Sequence, residues 1–219
     1  MIDRGYSISL PLFSDAECDA LLRAVSDSHR SRAGVRHLMS NPAIAEFAQD
    51  HRLIDLASRA LDRAAIPFRA TLFEKSGEKN WLIPWHQDTA LPLNEKFDIK
   101  GWGPWSEKAG VRYAHAPAAA LSRILALRIH LDPSTRHNGP LRVIPESHCR
   151  GVLSDEEIAE IVGTHESVEC LTDRGGVIAM QPLLIHASSK ANTDAPRRVL
   201  HLEYADSLEL ASNIRLAIA

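Results

Sequence analysis

Nowhere in the 219 residues do about 18 apolar residues run together, the length that a membrane-spanning helix needs. The opening stretch "MIDRGYSISLPLFSDAEC" carries acidic groups and no long apolar segment, so a cytoplasmic protein with no membrane partner is expected. Paired cysteines are missing as well. Cys18, Cys149 and Cys170 are an odd set without CxxC spacing, which excludes a disulfide framework and fits reduced thiols. Neither charge sign dominates: 25 Lys and Arg against 28 Asp and Glu give a net charge of −3, which offers no electrostatic argument for a nucleic-acid partner. The expected ligand is a small molecule. The sequence has no internal repeat and no low-complexity segment. Its length suits a single domain over residues 1–219, and nothing in the composition fixes an oligomeric state.

What is present changes character along the chain. Residues 1–66 read as helical. Ser14 and Glu17 form a capping-box pattern before Leu21, Leu22 and Val25, which predicts a helix from about 15 to 29. Asn41 and Pro42 open a second helix that should end near Pro67. From residue 67 to 206 the pattern becomes short extended runs separated by Gly, Pro, Asn and Asp, the signature of a β-sandwich or barrel. A second capping box, Ser154 to Glu157, announces one helix among the strands. Residues 93–122 have no convincing period and read as a lid or binding loop, with Trp102, Trp105 and Tyr113 favouring a partly apolar ligand.

In "WHQD", His86 and Asp88 are two residues apart, so on a strand an imidazole and a carboxylate share one face. One His and one Asp cannot hold a metal firmly. The leading third ligand is His186 in "LLIHASS", and two His with one carboxylate form the facial triad of non-haem Fe(II) oxygenases, with open positions for co-substrate and O2. Eleven residues on comes Arg197, and Pro196 before it suits the start of a strand that would carry Arg197, Val199, His201 and Glu203 on one face. The Arg197 fork could pair with the carboxylate of a dicarboxylic co-substrate, and Ser188 could add a hydrogen bond.

With "NGPLRVIPESH" at 138–148, "GG" at 175–176 and "HASS…RR" at 186–198, the stretch 68–206 resembles the phytanoyl-CoA dioxygenase family of Fe(II)- and 2-oxoglutarate-dependent oxygenases. The resemblance implies a mainly β fold with flanking helices, a double-stranded β-helix or cupin-like jelly roll. It also implies metal ligands at His86, Asp88 and His186, with 2-oxoglutarate held by Arg197 and Ser188 and Arg198 as the fallback anchor. A carboxylate at Asp88, where related halogenases have a small residue, implies hydroxylation of an unactivated C–H bond with release of succinate and CO2. The sequence offers no feature for a coenzyme A site.

Other groups compete for these roles. A second His-x-Asp, His130 and Asp132, precedes the Asn138-Gly139 turn signal, where Asp serves turn chemistry. If Arg128 and His130 face inward, with Leu127, Ile129 and Leu131 outward, both contact the pocket. Gln87, Trp85, Trp102 and Trp105 are further pocket candidates, though Trp81 and Trp85 fit a core equally well. His148 reads as bonded to backbone carbonyls, His201 as a core histidine, and His29, His37, His51, His115, His137 and His165 as surface. Two rival readings use the same residues: a zinc hydrolase, and a cupin-like binding module without catalysis.

Overall fold

A computed structural model describes residues 2–26, 28, 34–76, 80–211 and 213–219. The capping box at Ser14 is formed, its hydroxyl and the Glu17 carboxylate satisfying each other's backbone N–H groups, and it opens the helix Asp15–Ala24. That helix stops short of residue 29, with Val25 already out of helical geometry; His29 lies outside the described residues. The long helix expected from 41 to about 66 is instead two, Pro42–Phe47 and His51–Leu61. The break has a local cause. Asp50 turns to an extended conformation and caps the second helix by accepting from Arg52 N, while the Arg52 guanidinium collects Asp50, Glu17 and the Leu12 carbonyl. Leu61 is followed by Asp62 in the left-handed region (φ 54°), and Pro67 falls inside the next strand rather than at a helix end.

Among the described residues the strands form a six-stranded and a four-stranded antiparallel sheet, with two smaller ones. The major sheet runs Tyr6–Ile8, Val177–Met180, Ile124–His130, Arg197–Ala205, Ile66–Lys75, Gly34–Val35. The minor sheet runs Val168–Cys170, Leu141–Val143, His186–Ser188, Ile83–His86. Facing each other, they make a mainly β double-stranded β-helix with flanking helices. Period-two alternation assigns the faces of the major sheet. Ala70, Leu72, Leu125, Leu127, Ile129, Leu200, Leu202 and Tyr204 pack outward into one core with Cys18, Leu21, Ile44, Leu53 and Ala57 of the helices. Arg69, Thr71, Phe73, Lys75, Arg128 and Arg197 alternate with them and line the cavity between the sheets. The chain start is stitched on at Gly175, whose φ of +80° and contact with Phe13 leave no room for a Cβ, which would lie 1.9 Å from the Phe13 oxygen.

Residues 93–122 carry regular strands and a short helix, contrary to the reading as an aperiodic loop. Trp105–Lys108 and Val111–His115 form a hairpin whose second strand pairs with Ala90–Leu93, followed by a short helix Ala118–Leu121. The hairpin turns on Ala109 and Gly110, both at positive φ (48° and 80°), the backbone of a two-residue primed turn. No helix among the described residues is long and apolar enough to cross a membrane.

Candidate metal centre

Two chain segments almost a hundred residues apart meet because their strands are neighbours. His186 lies directly across from His86 in the minor sheet, and the two imidazole rings are 4.2 Å apart, centre to centre. Asp88 lies two residues beyond the end of its strand, where its backbone N–H donates to the Pro182 carbonyl and fixes the carboxylate beside both rings. Asp88 Oδ1 is 3.7 Å from His86 Nε2, and Oδ2 is 3.4 Å from His186 Nε2. One ligand atom from each residue falls within 4.8 Å of the others.

The donor set fits a divalent ion. His86 Nδ1 donates to the Pro84 carbonyl and His186 Nδ1 to the Leu184 carbonyl, each at 2.8 Å. A ring nitrogen facing a carbonyl must carry the proton, so both Nε2 lone pairs are left free toward Asp88. Burial pushes the Asp88 carboxyl up, but the facing imidazoles of His186 and His86, then His201 and Arg69, outweigh it and hold the group well below the usual carboxylate range. Burial also pushes the His186 imidazole down to about 4 against the opposing pull of Asp88. A charged Asp88 carboxylate and a neutral His186 imidazole are states a metal needs. His186 is buried whereas 36% of His86 and 39% of Asp88 side-chain surface stays open, so the exposed side of the triad faces the cavity.

That cavity, of about 210 Å³, ends in cations on the side away from Asp88. Arg197 is buried at the head of its strand, its Nη2 donating to Ser188 Oγ (3.2 Å) and its Nε to the Asn138 carbonyl (3.2 Å). Lys75 Nζ donates to the same Ser188 Oγ (2.8 Å) and to the Ser189 carbonyl (2.6 Å). Gly139 permits this packing: at φ +69°, a Cβ there would meet the Ser189 oxygen at 2.4 Å and crowd Lys75. Burial, then the charge of Arg128, pushes Arg197 down to about 9; burial, then Arg197 and Arg128, pushes Lys75 down to about 8. Two crowded cations without a carboxylate partner among the described residues make a receptor for an anion. Sequence reasoning missed Lys75. Its signal was its place on the inward period of Arg69, Thr71 and Phe73.

Arg198 turns the other way and grips Asp132 with Nε and Nη2, both at 2.7 Å, so the second His-x-Asp has lost its carboxylate to an arginine. His130 is fully buried with neither ring nitrogen bonded among the described residues, and burial, then Arg128 and Arg197, drives its pKa well below normal. Arg128 does line the cavity. Its Nη1 donates to His201 Nδ1 (3.1 Å), His201 Nε2 faces Glu203 (3.3 Å), and Glu203 pairs with Arg69 (3.2 Å), so His201 is the satisfied core histidine that was expected and also a link in a buried polar chain. Gln87 points away from the cavity and clamps the carbonyls of Gly151 and Leu183 and the N–H of Leu153, which fixes the segment between His86 and Asp88.

The tryptophans separate. Trp81 lines the cavity, with Lys75 Nζ 5.7 Å from its ring centre, whereas Trp85 packs against Ile144, Ile158 and Ile185 with Arg142 over its face. Trp102 and Trp105 meet Phe97 edge-on at the border of a second core, outside the cavity lining. His37 is not a free surface group: its Nε2 meets the Tyr113 hydroxyl at 2.9 Å. His148 meets Cys149 Sγ (3.3 Å) and not the backbone carbonyls expected of it.

The model of the family described as "Phytanoyl-CoA dioxygenase (PhyH)" matches residues 3–199. An ectoine dioxygenase of Sphingopyxis alaskensis is 27% identical over 186 residues, covering 75% of this chain and 54% of that protein. An L-proline trans-4-hydroxylase of Streptomyces griseoviridis is 27% identical over 176 residues, covering 68% of this chain and 58% of that protein. The chain thus spans little more than half the length of these relatives. Two solved structures of EctD from S. alaskensis share the fold over 93% of this chain. The one with bound Fe gives TM-score 0.67, 25% identity and 73% coverage of that chain; the one with 2-oxoglutarate and 5-hydroxyectoine gives 0.70, 24% and 72%.

Proposed function

The chain belongs to the phytanoyl-CoA dioxygenase family, and we propose from that premise that it is an Fe(II)- and 2-oxoglutarate-dependent oxygenase that hydroxylates a small molecule. The observation that carries this reading is the convergence of His86, Asp88 and His186 at the wall of a cavity whose far end holds Arg197 and Lys75. In it, His86, Asp88 and His186 hold iron, and Arg197, Ser188 and Lys75 hold the distal carboxylate of 2-oxoglutarate. Ferrous iron there supplies activation of O2, coupled to conversion of 2-oxoglutarate to succinate and CO2. The backbone carbonyls of Pro84 and Leu184 keep the two imidazoles in the ligating tautomer and orientation. The chain from Arg128 through His201 and Glu203 to Arg69 keeps the inner wall rigid and charged. Residues 1–219 act as one domain in this reading, and the free thiols Cys18, Cys149 and Cys170 suit a reducing cytoplasm.

The names of the two relatives, a dioxygenase and a hydroxylase, support the reaction class. So does the cavity, which is smaller than the roughly 300–1,000 Å³ typical of pockets for drug-sized ligands and suits a small substrate. Succinate release from 2-oxoglutarate is the test. It should require both Fe(II) and O2 and cease when zinc replaces iron; release that persists with zinc, or none with iron under air, contradicts the reading.

A further inference from the structure

The strand Ile66–Lys75 presents Arg69, Thr71, Phe73 and Lys75 to the cavity, so its two cations stand six residues, about 20 Å, apart along one face at about 3.3 Å per residue. The Lys75 end belongs to the co-substrate. Around the Arg69 end a separate group of cations gathers from three elements. Val35 pairs with Leu72, which brings Arg36 to the level of Thr71, and the hairpin delivers Lys108 next to its turn. Lys108 Nζ and the Arg69 guanidinium both lie over the Tyr113 ring, 5.0 Å and 5.2 Å from its centre. Arg36, Arg69 and Lys108 all line the cavity, and Lys108 has no ion pair among the described residues. Burial, then the charges of Arg69 and Arg36, pushes Lys108 below its ordinary range, while Asp88 pulls the other way. The group is therefore crowded and close to the metal-side carboxylate.

In total the cavity is lined by six cations (Arg36, Arg69, Lys75, Lys108, Arg128 and Arg197) against the carboxylates of Glu74 and Asp88, with Glu203 against Arg69 from behind. A divalent metal and a dicarboxylate cancel each other. They leave the excess at the Arg69 end in place. We infer that the Arg36–Arg69–Lys108 group receives an anionic group of the primary substrate, a carboxylate or a phosphate, and holds that substrate across the metal from 2-oxoglutarate. This rests on the oxygenase reading and narrows its substrate class. Arg69 contributes charge through a pair with Glu203, so Lys108 and Arg36 carry the larger share of the attraction. The inferred placement also gives the hairpin of residues 105–115 a role: its tip supplies the cation that selects the substrate.

The test is calorimetric titration of the anaerobic, Fe(II)-loaded protein, with and without 2-oxoglutarate. Titrants are small aliphatic and aromatic carboxylates, the corresponding phosphate monoesters, and the neutral amide or alcohol of each. At least one anion should bind about tenfold or more tightly than its neutral counterpart, a difference of about 1.4 kcal/mol. The preferred series identifies carboxylate or phosphate as the group. Lys108→Met and Arg36→Met together should bring anion and neutral partner to parity while leaving 2-oxoglutarate affinity unchanged, and Lys108→Arg should retain the preference. Equal binding of neutral compounds, a preference that survives the double substitution, or no anion binding in any series overturns the inference. If 2-oxoglutarate itself fails to bind, the oxygenase reading falls. The titrations made without it still judge the anion group.

Discussion

The chain contains the same three-residue pattern twice, His86-Gln-Asp88 and His130-Leu-Asp132, and the fold treats the two in opposite ways. At the first, a second imidazole arrives from the neighbouring strand, both rings are locked with Nε2 free, and the carboxylate opens to a cavity. At the second, the imidazole is sealed in the sheet interior with no hydrogen-bond partner among the described residues, and the carboxylate is taken by Arg198. Identical spacing supplies identical local geometry only. What separates the candidate metal centre from the structural pair is the third group, the access, and, among the described residues, the absence of a guanidinium bonded to the carboxylate.

Substitutions at the two aspartates break this comparison most sharply. Asp88→Ala should lower Fe(II) affinity by at least about 100-fold, beyond the 10–100-fold typical of losing an outer-shell partner. Asp132→Ala should leave iron stoichiometry unchanged and cost about 1–3 kcal/mol of stability in a denaturant titration, because Arg198 loses its charged hydrogen bonds. Iron loss in both variants would erase the distinction.

The adjacent arginines sharpen it next. Arg197→Ala should weaken 2-oxoglutarate by about 2–4 kcal/mol, roughly 30- to 700-fold, with iron affinity intact. Arg198→Ala should not weaken it. An equal loss in the two variants would mean that the register of the strand, and not the direction of one side chain, governs the co-substrate.

A pH series separates the cations at this end. Lys75, pushed down to about 8 by burial and then by Arg197 and Arg128, is charged below that pH and neutral above it. Its contribution to anion binding is therefore complete below about 8 and lost as pH rises through it, so the 2-oxoglutarate dissociation constant should climb above pH 8 in the native protein. In Lys75→Met the step near pH 8 should be absent, leaving only the later one that follows Arg197, which burial and then Arg128 push down to about 9. The smallest effect is expected at the sealed histidine: His130→Leu removes no hydrogen bond and should shift stability by no more than about 1 kcal/mol, with iron binding unaffected.

Much of this site was legible in advance because strand periodicity repeats every two residues, the spacing of His86 and Asp88 and half that of Arg197 and His201. The capping boxes at Ser14 and Ser154 were legible for the same reason, since their chemistry closes within one turn. What escaped depends on groups far apart in the chain. Asp50 breaks the second helix with help from Arg52, which also reaches Leu12 and Glu17. The hairpin at 105–115 hid because its turn uses Ala109 at positive φ, where Asn or Gly would have signalled it. Without that hairpin Lys108 could not be placed, and Trp102 and Trp105 looked like pocket residues when they serve a core. Lys75 reads as an ordinary strand-end lysine until Gly139 and Ser188 close on it.

One measurement addresses the triad most directly. Anaerobic Fe(II)-loaded protein is titrated with 2-oxoglutarate and followed for the visible charge-transfer band of a keto acid chelated to iron. The account predicts a band that saturates at one equivalent in the native protein and is missing in His186→Ala. A native protein that binds iron yet develops no band, or a His186→Ala variant that develops it in full, would contradict it.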